Sequence, residues 1–163
     1  MISLILTASS DADALARLLS ALVPGAAEGL VREVAVLGAQ GVCGDIADEA
    51  GADLYSADAF ADALARARGP WLLGLPVTAV FEPQWIAALG FHLAREPARP
   101  ARLVASGLGL PDLRLLGLGL TGRPEGWLVP KSLAPSPAAR PREQDLQRLA
   151  RRSGRRLRIL TRA

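Results

Sequence analysis

The segment Trp71–Leu75 constrains the fold more than any other part of the sequence. It reads Trp-Leu-Leu-Gly-Leu, and a loop and a helix predicted from about Gln84 to Ala94 follow it. A strand that is apolar throughout is typical of the centre of a parallel sheet, where helices cover both faces. The segment therefore predicts the central strand of an α/β sheet.

Strands and helices alternate along the first hundred residues. Three further β-type runs are predicted at Ser3–Leu6, Val34–Leu37 and Asp53–Tyr55. A helix follows each run: one capped by Ser9 or Ser10 and ended by Pro24-Gly25, one at Gly44–Ala50, and one at Phe60–Arg68. The alternation predicts parallel strands in the N-terminal part of the sheet.

Beyond Pro97 the pattern is weaker. It predicts strands at Leu103–Ala105, Gly126–Val129 and Leu157–Thr161 and a helix at Asp145–Arg152, and it leaves Leu108–Leu120 open between helix and loop. The length of 163 residues predicts a single domain with a substantial core.

The sequence composition limits where in the cell the protein is expected to be. No apolar run reaches the roughly 20 residues of a membrane span. The N-terminus lacks a basic leader and is predicted to be a first strand, not a signal peptide. The single Cys43 excludes an internal disulfide and fits a reducing environment. We therefore expect a cytoplasmic protein.

Charge is divided unevenly along the chain. Residues 1–96 contain 12 acids and 5 arginines, whereas residues 97–163 contain 4 acids and 14 lysines or arginines. Seven arginines and no acid follow Asp145. Such a segment is either a solvated basic helix and strand or a contact for an anionic surface, such as the inner face of a membrane. Nucleic acid is the least favoured partner, because this segment has no aromatic residue on which bases would stack.

Several blocks of the sequence together resemble family 2 glycosyltransferases. Trp71–Leu75 followed by Pro83-Gln84-Trp85 resembles the strand and helix start that flank the family's Asp-x-Asp metal motif. Further resemblances follow in the family's order, at Ile2–Asp11, Gly29–Leu37, Ile46–Ala52, Leu115–Leu118, Glu125–Lys131 and Arg142–Leu149. The resemblance implies a GT-A, Rossmann-like three-layer sandwich with a mostly parallel central sheet. It also implies a nucleotide sugar as substrate, a nucleotide-binding-like half at 1–96 and a basic acceptor-side half at 97–163.

The sequence departs from the family at the positions that bind ligands. Pro76 and Thr78 occupy the two acidic positions of the metal motif. A hard divalent cation prefers carboxylate oxygens, so we expect no divalent metal cofactor. Three more acidic or amide positions also differ, at Gly38, Cys43 and Pro124-Glu125. Together these differences indicate a degenerate active site. The chain is also shorter than family members usually are, and its segment before the central strand is reduced to Tyr55–Phe60.

The resemblance still implies candidate site residues. Glu143 matches the position of the family's general base in inverting members, and a register slip of two would select Asp145 instead. Acids at a helix start also stabilise the helix dipole, which is the competing explanation for both. Ligands of an open α/β sheet lie beyond the carboxyl ends of its strands, which selects Ser9, Ser10, Asp11, Gly38 and Thr78. Arg123 and Arg142 would replace a metal as bidentate phosphate clamps.

Two functional hypotheses follow from these observations. In the first, the chain transfers sugar from a nucleotide sugar without a metal, in the cytoplasm or peripherally at the inner membrane. In the second, it is a non-catalytic relative that binds a protein partner, or a second copy of itself, and regulates a true transferase. His92 is the only histidine and is interpreted as structural, because a zinc site needs more nitrogen or sulfur ligands than the sequence offers.

Overall fold

The computed structural model describes residues 1–8, 10–105 and 126–161, and in these ranges eight strands form one sheet. The strands are β1 (Ile2–Thr7), β2 (Val31–Leu37), β3 (Asp53–Tyr55), β4 (Trp71–Pro76), β5 (Val80–Phe81), β6 (Ala101–Ala105), β7 (Gly126–Pro130) and β8 (Arg156–Thr161). The α-helices of the described ranges are α1 (Ala12–Ala27), α2 (Val42–Glu49), α3 (Phe60–Arg66), α4 (Trp85–Arg95) and α5 (Glu143–Arg152). Two single 3-10 turns, Lys131–Leu133 and Pro137–Ala139, connect β7 to α5. The ambiguous segment Leu108–Leu120 lies outside the described residues.

The sheet has the order β3-β2-β1-β4-β7-β6-β8-β5. The first four strands in this order are mutually parallel, as predicted from the alternation of strands and helices. β7 runs antiparallel to both of its neighbours, β6 and β8 are parallel, and β5 is antiparallel to β8. The carboxyl ends of β1, β2, β3 and β4 therefore meet at one edge of the sheet, which we call the carboxyl edge.

Helices cover both faces of this sheet. Successive side chains of a strand point to opposite faces, so Leu4 and Leu6 of β1 pack with one cluster while Ile5 packs with the other. The first cluster contains buried side chains of α1, α2 and α4, and the second contains those of α3 and α5. This arrangement is the three-layer α/β sandwich that was predicted, with the apolar β4 at its centre.

α1 continues beyond the point where the sequence predicts its end. Pro24 has no amide to donate to the carbonyl of Ser20, but its own carbonyl accepts from the Glu28 amide at 3.0 Å, and the helix continues through it to Ala27. Gly25 lies directly beneath Trp85, where an added Cβ would approach the indole to 2.5 Å. Gly25 is therefore required for packing against Trp85 and does not end α1. The prediction that Ser9 or Ser10 caps α1 was wrong. The N-cap is Asp11, whose carboxylate accepts from the Ala14 amide at 2.9 Å.

A polar cluster joins β1, β2 and the start of β4 at the opposite edge of the sheet. The Glu33 carboxylate accepts hydrogen bonds from the Ser3 hydroxyl and the Arg68 amide, and the Arg68 Nε lies 2.6 Å from its second oxygen. The Gly69 amide donates to the Ser3 hydroxyl at 2.8 Å. Burial alone would raise the pKa of Glu33, but the hydrogen bonds from Ser3 and Arg68 outweigh it and lower that pKa.

Candidate functional site

The carboxyl edge brings together the predicted ligand-binding positions that the structure describes. Asp11 caps α1 just after β1, and Ser10 beside it is exposed. Gly38 follows β2 with a φ of +75°, which is strained for any residue with a side chain, and its amide donates to the Tyr55 carbonyl at 2.8 Å. Thr78 is exposed in the turn after β4. Ser9 and Arg123 lie outside the described residues.

Glu143 begins α5 and links this helix to two strands. Its Oε1 accepts from the indole Nε1 of Trp127 at 3.1 Å and from Nε2 of Gln147 at 3.2 Å. Its Oε2 accepts from the hydroxyl of Thr7 at 3.2 Å. Thr7 is the last residue of β1, so the carboxylate of Glu143 lies at the carboxyl edge.

Trp127 reaches Glu143 because β4 has a glycine at the facing position. Trp127 on β7 pairs with Gly74 on β4, and its side chain is only 1% exposed. An added Cβ on Gly74 would lie 2.0–2.2 Å from three atoms of the indole, so the ring occupies the space of the absent side chain. Phe60 contacts the same indole edge to face, with ring centroids 6.3 Å apart. This contact was not predicted from the sequence, although a glycine inside an apolar strand is a known sign of close approach.

Asp145, the alternative candidate, has a different environment. Its Oδ2 accepts from the Arg142 amide at 2.9 Å and closes the first turn of α5. Its Oδ1 lies 3.5 Å from the guanidinium of Arg148, one turn further along the helix. Asp145 therefore acts as a helix-capping acid, whereas Glu143 connects α5 to the carboxyl edge. Arg142 itself is exposed, and no carboxylate of the described ranges forms an ion pair with its guanidinium.

The end of β4 does not offer the ligands that a divalent cation prefers. Pro76 has no side-chain oxygen, and the turn is closed by a 2.9 Å hydrogen bond from the Ala79 amide to the Pro76 carbonyl. Thr78 contributes one neutral hydroxyl. Within the described parts of the chain, no group of three or more histidine, cysteine, aspartate or glutamate residues is placed to hold a metal ion. The residues present here therefore do not fit a metal–diphosphate site built on carboxylates.

The basic C-terminal segment lies on α5 and β8. Arg152, Arg156 and Arg158 are exposed, and none of them pairs with a carboxylate among the residues that the structure describes. Arg155 differs, because its guanidinium lies 3.0 Å from the carboxylate of Glu96. In the described ranges we find no helix with the length and apolar character needed to cross a membrane.

The fold is that of GT-A glycosyltransferases. Glucosyl-3-phosphoglycerate synthase from Mycobacterium tuberculosis, solved with Mn²⁺, UDP and glucosyl-3-phosphoglycerate, superposes with a TM-score of 0.64 at 19% identity, over 100% of this chain and 71% of that one. The same enzyme in another crystal structure gives a TM-score of 0.65 at 18% identity, covering 100% and 72%. Mannosyl-3-phosphoglycerate synthase from Rubrobacter xylanophilus gives 0.56 at 18% identity, covering 82% of this chain and 54% of that one.

The similarity to known proteins was found in solved structures. No protein-family model matches the sequence, and no curated protein matches it at a significant level. The chain spans between 54% and 72% of the lengths of the structures cited here. At identities below 25% the superposition establishes the GT-A fold, which the sequence analysis predicted.

Proposed function

We propose that this chain is a glycosyltransferase that transfers a sugar from a nucleoside diphosphate sugar to an acceptor hydroxyl. The observation that carries the proposal is the position of Glu143, whose carboxylate is held against the end of β1 at the carboxyl edge. Open α/β sheets bind their ligands beyond this edge. Structures that share the fold were solved with UDP, so UDP-sugars are the first donors to test.

Glu143 serves as the general base in this proposal. Its carboxylate takes the proton of the acceptor hydroxyl while the acceptor oxygen forms a bond to the anomeric carbon of the sugar. The bond from that carbon to the diphosphate breaks, and its electron pair leaves with the nucleoside diphosphate. Attack by an activated hydroxyl on the face opposite the leaving group inverts the anomeric configuration.

Charge on the leaving diphosphate is balanced by arginine in this proposal. Pro76 and Thr78 do not supply carboxylates for a cation, whereas Arg142 adjoins the base and has no ion-pair partner in the described chain. A guanidinium binds phosphate oxygens in bidentate fashion and keeps its charge at every physiological pH. Transfer is therefore expected to proceed in the presence of a chelator.

Turnover with UDP-, GDP- and CDP-sugars in the presence of EDTA tests these statements. Glu143→Gln is expected to lower kcat by about 10²- to 10⁴-fold, because the amide does not accept the proton. Asp145→Asn is the matched control on the same helix turn, and its kcat should stay within about threefold of wild type, since the residue only caps the helix. Retention of the anomeric configuration, or full activity of Glu143→Gln, would contradict the role of Glu143.

Nucleotide binding is tested separately from turnover. A ligand that binds only the native state raises the thermal midpoint, so a donor sugar should shift it with and without Mn²⁺. A shift that requires Mn²⁺ would contradict the arginine-based site. No shift with any nucleotide sugar would favour the non-catalytic, partner-binding alternative.

The exposed arginines support a proposal about location. Arg152, Arg156 and Arg158 have no carboxylate partner in the described ranges, and each such charge adds about 1 kcal/mol of attraction to an anionic lipid surface. We propose that the surface formed by Arg152, Arg156 and Arg158 binds an anionic membrane. β8 pairs with β5 over only two residues, so its charges also protect an edge strand from pairing with other chains, which is the competing explanation.

A further inference from the structure

We infer that Trp127 is a positioning residue for the reaction, and that it determines which oxygen of Glu143 accepts the proton. The inference rests on the proposed function of Glu143 and extends it to a residue on another strand. The indole N–H of Trp127 and the amide of Gln147 hold Oε1, so Oε2 is assigned as the reacting oxygen.

The hydrogen-bond arrangement distinguishes the two oxygens. Each carboxylate oxygen has two lone-pair directions, and Oε1 already accepts from two donors. Among the residues that the structure describes, Oε2 accepts from Thr7 alone, an exposed hydroxyl at the end of β1. A hydroxyl rotates freely and also acts as an acceptor, so it can release Oε2 when an acceptor hydroxyl arrives. An indole only donates and has no such alternative.

The position of the indole is fixed by the core. Trp127 is 1% exposed, occupies the space beside Gly74 and contacts Phe60 edge to face. Its N–H is therefore aimed at Glu143 by packing that exists before any substrate binds. A buried indole N–H needs a partner, and the carboxylate of Glu143 satisfies it. This is the arrangement expected of a supporting residue that fixes a catalytic carboxylate in one orientation.

Replacing the N–H without changing the shape of the ring tests the inference. Benzothienylalanine, introduced at position 127 by amber suppression, carries sulfur in place of the indole N–H. We expect kcat to fall about 10- to 100-fold, because a hydrogen bond to a charged group is lost, while KM for the donor and the thermal midpoint change little. The same replacement at Trp85 is the matched control, since that indole stacks on Phe81 and has no hydrogen-bond partner within the described chain.

The oxygen assignment has its own test. Gln147→Leu also removes a donor from Oε1 and should lower kcat in the same direction as the change at Trp127. Thr7→Val removes the donor from Oε2, which must be released during proton transfer, and should lower kcat less than the change at Trp127 does. An equal or larger loss in Thr7→Val would overturn the assignment.

A spectroscopic measurement separates this inference from the proposed function. The ¹⁵N–¹H signal of the Trp127 indole should exchange slowly with solvent, and it should shift in Glu143→Gln. Full turnover by Glu143→Gln would defeat the proposed function and leave this contact observable. Loss of turnover in Glu143→Gln, combined with an unchanged kcat for the sulfur analogue, would defeat the positioning role alone.

Discussion

The contact between Gly74 and Trp127 predicts a large effect from the smallest possible substitution. Gly74→Ala adds one methyl group at a point where the indole already lies 2.0–2.2 Å from the new Cβ position. Added volume in a packed core costs about 1–3 kcal/mol, occasionally more. The indole is rigid and buried, so we expect a loss at or above about 3 kcal/mol. With a slope near 2 kcal/mol per molar urea, the unfolding midpoint would fall by about 1.5 M.

A double-mutant cycle isolates the cause of that loss. Trp127→Leu removes all three indole atoms that the new Cβ would meet, and by itself it should cost about 2–5 kcal/mol as a cavity. In that background Gly74→Ala should cost at least about 1 kcal/mol less than it does in the wild type, because contacting residues are not additive. Additive costs would show that the steric explanation is wrong.

Gly90→Ala is the control for the general effect of replacing glycine. Gly90 lies inside α4. Apart from its chain neighbours and the backbone of its own helix, no heavy atom of the described residues would lie within 4 Å of an added Cβ there. Alanine is preferred over glycine inside a helix by about 0.5–1 kcal/mol, so this variant should be slightly more stable than wild type. A Gly74→Ala loss below about 1 kcal/mol in the same urea titration would refute the reasoning.

Three further predictions concern acid stability and membrane contact. Folding lowers the pKa of Glu33, so the stability that Glu33 contributes is present above the usual pKa near 4.5 and is lost as pH falls through the lowered pKa. Glu33→Gln should therefore lower the urea midpoint at pH 7 more than at pH 4. Burial lowers the pKa of His92, and the hydrogen bond to the Arg99 carbonyl partly offsets this shift. The free energy of unfolding should therefore decline as pH falls below about 6.5. His92→Gln should flatten that decline in the same urea titration. Arg158→Glu should weaken sedimentation with phosphatidylglycerol vesicles by about tenfold or more, unlike Arg32→Glu on β2; equal behaviour of the two variants, or no vesicle binding by the wild type, would contradict the membrane proposal.

β4 was predictable as the central strand because its apolar composition reflects its buried environment. β4 is covered on both faces, and a strand in that position tolerates almost only apolar residues. The parallel order of the first strands followed from the alternation of strands and helices. The end of α1 was not predictable from Pro24-Gly25. Gly25 is required by its packing against Trp85, which lies sixty residues further along the chain, and not by the end of the helix. The two-residue strand β5 is too short to give any periodic pattern.

The candidate site was predictable only to the level of segments. Glu143 and Asp145 share the first turn of one helix, and the dipole of that helix stabilises either acid equally well. They differ in three-dimensional contacts, since Glu143 bonds to Thr7, which is 136 residues away in the sequence, and Asp145 bonds to its own helix. No local pattern encodes that difference. Trp127 was missed for the same reason, because its role depends on the pairing of β7 with β4.

Two of the three hydrogen bonds that the described residues donate to Glu143, those from Trp127 and Gln147, come from residues outside the end of β4. Pro76 is the last residue of β4, where it pairs with Thr7, and Thr78 is exposed in the turn that follows. The indole of Trp127, which donates to Glu143, packs on Gly74 in the interior of the same strand. A change of side chain at Thr78 therefore leaves in place the indole packing that orients the carboxylate. For this reason the lack of a carboxylate at positions 76 and 78 is compatible with a functional base on α5. The two features are tested separately, by the dependence on Mn²⁺ and by Glu143→Gln.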